Sequence, residues 1–137
     1  MKKLLQSDLD ILCHILRYCE RIENIIERFG SEEEVFKSDI AYRDAVSMNL
    51  LQIGELAGHL SEDYRSQPIK TMNWSAVRGM RNLFAHDYGN MDEHVIWNTA
   101  VESVPDLKGF CLSEISNAES IFPKEREIEG EEEDNLI

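Results

Sequence analysis

The sequence predicts an all-α fold, an antiparallel bundle of about four to six helices, on three observations. Apolar residues recur every three or four positions as far as Ala118, the spacing of helices that each bury one face. Only three prolines and seven glycines punctuate the 137 residues, and 8% are aromatic, a composition that favours helices over an all-β fold. No unit of about 20 to 50 residues repeats, which excludes a solenoid. At this length one domain with one core is expected, placed at residues 1–120 and followed by a disordered acidic tail at 121–137.

Taken in order, Ser7 or Asp8 can cap a first helix in which Ile11, Leu12, Ile15, Leu16, Cys19, Ile22, Ile25, Ile26 and Phe29 form one stripe, with Gly30 as its stop. Ser31 to Glu34 reads as a capping box with acids in the first turn, opening a short helix to Lys37. Asp39 starts a long helix whose inner stripe, Tyr42, Val46, Leu50, Ile53, Ala57 and Leu60, ends near Ser61 and pairs antiparallel with the first. Within it Gly54 and Gly58 stand four apart. A mid-helix glycine costs about 0.5 to 1 kcal/mol relative to Ala, so the pair is expected to admit the close approach of another helix. Glu62 to Met72, with Pro68, reads as a connector holding a turn of helix. Asn73 then caps a helix that starts at Trp74 and stops at Gly89-Asn90. Asp92 caps the next helix, Pro105 breaks or restarts it, and Leu107, Phe110, Cys111, Ile115 and Ala118 complete the bundle. Beyond Ser120 the apolar period stops and acids dominate, so that segment is expected to be disordered.

The formal net charge is −13. A broad nucleic-acid binder is basic, because it must displace counterions from phosphates, so tight and general binding of RNA is excluded. From Pro123 onward seven acids face Lys124 and Arg126, a net of −5, which leaves −8 on the rest of the chain. Any anionic substrate must therefore be held by a focused patch of cations. The chain is expected to be cytoplasmic, because Gln6, Asp8 and Asp10 interrupt any leader-like apolar run after Met1-Lys2-Lys3 and no run approaches membrane length. Cys13, Cys19 and Cys111 are odd in number and lie on packing stripes, which suits reduced core thiols. The four histidines show no H-x-x-x-H and no carboxylates pair at ligand spacing, so neither a metal nor any other cofactor is implied.

Chemistry concentrates in Arg78-Gly79-Met80-Arg81-Asn82-Leu83-Phe84-Ala85-His86-Asp87-Tyr88. On a helix, Val77, Met80, Leu83 and Phe84 gather on one side, and Arg78, Arg81, Asn82 and His86 share the other, with the small Ala85 between them. Arginines on a polar helix face are usually only solvated, and a histidine in a last turn can merely answer the helix dipole. A tyrosine there can be a packed ring. The combination is more specific than its parts. Arginine stays charged and binds phosphate oxygens through parallel donors, while histidine exchanges protons near neutrality.

This Arg81-x4-His86-x-Tyr88 pattern, with Asn82 after the arginine, resembles the signature of the HEPN superfamily, and within it the HepT-like ribonuclease toxins encoded beside a nucleotidyltransferase antitoxin. Ile53-Gly54-Glu55, Leu60-Ser61-Glu62, Gly79-Met80-Arg81-Asn82, Asp92 and Val95-Ile96-Trp97 resemble that family in order and approximate spacing, from about Leu4 to Ala118. Leu83 and Asp87 depart from its pattern. The resemblance implies an endoribonuclease that works without metal, with His86 as acid or base, Arg81 as phosphate clamp, Asn82 as orienting partner and Arg78 as a further substrate contact. It also implies a homodimer whose two motif helices line one cleft, because Arg81 and His86 lie about 140° apart on a single helix. Tyr88 is implied as the residue to which the antitoxin transfers adenylate, placing a phosphate beside Arg81 and His86. The alternative is a non-catalytic HEPN module that docks the nucleotidyltransferase and is modified by it.

Overall fold

The computed structural model describes residues 5–67 and 72–119, and no strand occurs among them. Pro68 and the acidic segment 121–137, expected to be disordered, lie outside the described residues. The first helix, α1, spans Gln6–Phe29 and buries Leu9, Leu12, Ile15, Cys19 and Ile22. Neither Ser7 nor Asp8 is its cap. The helix begins after Leu5, and the buried Asp8 sits one turn in, where its carboxylate accepts the Leu5 N–H at 3.2 Å. The same carboxylate takes the Ser61 N–H at 2.7 Å and the Ser61 hydroxyl at 2.8 Å, tying the start of α1 to a residue 53 positions on. Gly30 ends the helix at φ 113°, a left-handed value that disfavours any side chain.

The capping box expected at Ser31 does not form. The chain leaves Gly30 extended at ψ 141°, Ser31 lies in a bend, and α2 begins only at Glu33, spanning Glu33–Ser38. Asp39 does cap α3, which spans Ile40–Ala57, by accepting the Ala41 N–H at 3.0 Å and the Tyr42 N–H at 3.3 Å. Tyr42 locks this corner: its hydroxyl donates to the Gly30 carbonyl at 2.7 Å, and its ring stacks on Phe29 with centroids 4.9 Å apart and meets Phe36 edge-on at 5.0 Å. α3 is the central element, packed on α1, α2 and, along its other side, α5. It stops at Gly58, short of Ser61, which instead caps the single turn α4, Glu62–Arg65. The buried Tyr64 of that turn donates to Glu114 at 2.5 Å.

Asn73 caps α5, Trp74–His86, by accepting the Ala76 N–H at 3.1 Å. A 3-10 turn, Tyr88–Asn90, follows, then α6, Glu93–Asn98, capped by Asp92 through the His94 N–H at 2.8 Å. α6 runs on through a wide π turn, Thr99–Ser103, into α7, Val104–Glu119. Pro105 stands in the first turn of α7, directly after the stretch whose altered hydrogen bonding accommodates its missing N–H. Counting α6 and α7 as one rod, the described residues form six helices. α7 packs on α1, and its Phe110 meets Trp74 of α5 edge-on with ring centroids 5.6 Å apart.

The three cysteines behave as core groups. Cys19 and Cys111 are buried, and burial pushes both thiols up, Cys19 to about 12, which leaves little reactive thiolate.

A candidate active site on the fifth helix

α5 packs mainly on α3, and one glycine decides how closely. A Cβ built on Gly54 would stand 2.5 Å from the Arg81 backbone nitrogen and 3.0 Å from the Val77 carbonyl oxygen, so the helices touch backbone to backbone there. Gly58 meets only carbonyls of its own helix and serves as the cap of α3. Of the two glycines expected to admit a helix, only Gly54 does so.

Val77, Met80 and Phe84 pack on the core as expected, and the Arg81 backbone joins them at the contact with α3. Leu83, expected to pack, is 46% exposed. Arg81 therefore has its backbone at the helix seam and its side chain emerging at the edge. Its Nε donates to Glu55 Oε1 at 3.1 Å and its Nη1 to Asn82 Oδ1 at 3.2 Å. Both members of the Arg81–Glu55 pair are nearly half exposed, 47% and 44%, so the pair contributes only about 0 to 1 kcal/mol. Its effect is to aim the guanidinium. The other N–H groups of Arg81 have no partner among the described residues.

Asn82 thus orients Arg81, and no described residue hydrogen-bonds His86. His86 is exposed in the last turn of α5, on the side away from α3. Five residues separate it from Arg81, about 7.5 Å along the axis and 140° around it. A single α5 does not bring the two side chains onto one phosphate. Arg78 is also exposed, at the rim of a hollow of about 430 Å³ shared with Arg65, Ser66 and Asn73. A groove of about 830 Å³ lies elsewhere, between α5 and the α6–α7 rod, and is lined by Val77, Met80, Leu107 and Phe110. It holds none of the candidate polar residues.

Tyr88 departs most from its expected place. α5 ends at His86, and the 3-10 turn carries the half-buried Tyr88 back over α3, where its hydroxyl donates to Asp44 Oδ1 at 2.5 Å. Burial, chiefly, and the Asp44 bond hold the phenol above its ordinary pKa, while the nearby Ser47 hydroxyl acts the other way. Asp44 and Glu55 are eleven residues apart on α3, about 16 Å along its axis. Within one chain the tyrosine hydroxyl and the Arg81 guanidinium are thus held by acids about three turns apart on α3. Of the two acids that contact the motif, Glu55 was recognisable in the sequence only as part of a family match, and nothing local singled out Asp44.

Among the described residues no cluster of three or more His, Cys, Asp or Glu is placed to hold a metal ion, and no helix is long and apolar enough to cross a membrane. The chain matches the family described as Ribonuclease HepT-like over residues 15–113. A protein of Caldanaerobacter subterraneus subsp. tengcongensis named as a candidate RNase is 32% identical over 96 residues, covering 69% of this chain and 82% of the relative. One of Thermococcus cleftensis, named as a probable ribonuclease HepT, is 31% identical over 105 residues, covering 76% and 92%. A third, from Methanocaldococcus jannaschii and named as a candidate RNase, is 29% identical over 125 residues, covering 91% and 93%. No solved structure matches the chain.

Proposed function

The chain belongs to the HepT-like ribonuclease family, and on that premise we propose that it is an endoribonuclease, the toxin of a toxin-antitoxin pair, that cuts RNA without divalent metal. The observation that carries this reading is the state of α5: a guanidinium aimed by Glu55 and Asn82 at the seam, and an exposed imidazole one and a half turns on. A ribose 2′-hydroxyl is already tethered to its target phosphate, so the protein need only move protons and neutralise phosphoryl charge. His86 takes or gives the proton. Arg81 binds the phosphoryl oxygens through its unengaged donors. The new O2′–P bond displaces the 5′-oxygen, leaving a 2′,3′-cyclic phosphate and a 5′-hydroxyl.

Two copies complete the site. In one chain Arg81 and His86 diverge, but a second α5 facing the first supplies the missing partner and doubles the local cations on a chain of net charge −13. The exposed Leu83, on the outer face of α5, is an apolar contact for that association. The antitoxin is a nucleotidyltransferase that adenylylates Tyr88. Since the Tyr88 hydroxyl lies toward Asp44, the adenylate acts on the cleft by its bulk and charge rather than by pairing with Arg81 of its own chain.

The reading is tested by incubating purified protein with RNA in chelator and determining the new ends. Cleavage with cyclic-phosphate and 5′-hydroxyl ends is expected, and 2′-methoxy RNA should resist. Activity that vanishes in chelator contradicts the mechanism, and inactivity under every condition leaves a docking module.

A further inference from the structure

We propose that Asp44 is the proton acceptor that makes Tyr88 a nucleophile, so that the chain supplies part of the chemistry of its own adenylylation; this rests on the reading of Tyr88 as the modified residue. The two side chains come from α3 and from the turn after α5, 44 residues apart, and meet at 2.5 Å with the phenol donating. They share a small cavity of about 190 Å³ with Arg43, Gly89, Met91 and Glu93.

The chemistry calls for such a group. The phenol is held above its ordinary pKa, by burial first and by the Asp44 bond second, so almost none of it is phenolate at neutral pH. An acceptor already bonded to the proton removes the need to form free phenolate. In the step, Tyr88 Oη attacks the α-phosphorus of a nucleoside triphosphate held by the partner enzyme, forming the new O–P bond. The bond from that phosphorus to the bridging oxygen breaks, and its electron pair leaves with pyrophosphate. The phenol proton passes to Asp44 Oδ1, which later returns it to water. Arg43, on the cavity wall and paired with Glu93 at 3.3 Å, is the cation nearest in sequence to face the resulting phosphodiester.

The test follows adenylate incorporation by intact mass, using the full chain, the nucleotidyltransferase encoded beside it and ATP, for wild type, Asp44→Asn, Asp44→Glu and Tyr88→Phe. Wild type should gain adenylate-sized increments and Tyr88→Phe none. The Asp44→Asn amide oxygen still accepts the phenol hydrogen bond but is a far weaker base. Its turnover number should therefore fall by about 10² or more at unchanged KM for ATP. Asp44→Glu should recover part of the loss, and RNA cleavage should be unaffected in both. An Asp44→Asn rate equal to wild type overturns the proposal while leaving the modification of Tyr88 standing. A faster rate also overturns it, making the bond a latch that restrains the tyrosine. Increments absent from wild type, or persisting in Tyr88→Phe, sink the reading of Tyr88 and the proposal with it.

Discussion

His86→Ala is expected to lower the rate of RNA cleavage by about 10² to 10⁴, the usual loss when one acid-base group is removed. Arg81→Ala is expected to lose about 10² to 10³, the scale for deleting one preorganised donor to a developing oxyanion. Neither should unfold the protein. His86 is exposed and hydrogen-bonds no described residue, and the Arg81–Glu55 pair is worth at most about 1 kcal/mol at its exposure. Melting temperatures within a few degrees of wild type, beside rate losses of that size, separate a chemical role from a structural one. A cleavage rate within a factor of three of wild type in His86→Ala would remove the imidazole from the mechanism.

Gly54→Ala is expected to be the most damaging small change to the fold. The added methyl meets the Arg81 nitrogen at 2.5 Å and the Val77 carbonyl at 3.0 Å, both backbone atoms that cannot rotate away. α5 must shift outward as a unit. Overpacking of this kind costs about 1 to 3 kcal/mol, a fall of several degrees in melting temperature for a chain this size. Because the displaced atom belongs to Arg81, cleavage should suffer beyond the loss of stability. Gly58→Ala is the matched control, since its Cβ meets only carbonyls of its own helix, the nearest at 3.3 Å, and φ is an ordinary −66°. Equal melting temperatures for the two alanine variants would show that the close approach at Gly54 is not tight.

What the sequence made legible was local. Asp39, Asn73 and Asp92 cap the helices they were expected to cap, because an Asx side chain and the N–H it accepts lie within three residues of each other. The buried stripes of α1 and α3 follow directly from apolar spacing. Gly54 was readable as a contact because a glycine inside a helix is costly without one. The exposure of Leu83 was not readable. Apolar spacing counted Leu83 as core although it is 46% exposed, and it gave no sign that Arg81, whose side chain lies at the surface as expected, meets α3 with its backbone. Asp8 holds the Leu5 N–H at the start of α1, and its bonds to Ser61, 53 positions away, were not readable locally. Tyr88 was assigned to the helix because Gly89 is the obvious breaker, and only its bond to Asp44 shows why α5 stops earlier. Glu55 and Asp44 became visible through partners 26 and 44 residues distant, which no local pattern encodes.

The central claim is that cleavage needs two copies of α5, with Arg81 of one protomer and His86 of the other at the same phosphate. Mixing Arg81→Ala with His86→Ala tests it most directly. After subunit exchange, half of the dimers are mixed, and each mixed dimer keeps one of its two crossed Arg81–His86 pairs. The mixture should therefore recover about a quarter of the wild-type rate although each variant alone is nearly silent. Mass tags on the two variants confirm that exchange has occurred. A mixture that contains mixed dimers yet remains as inactive as its parents would contradict the shared site.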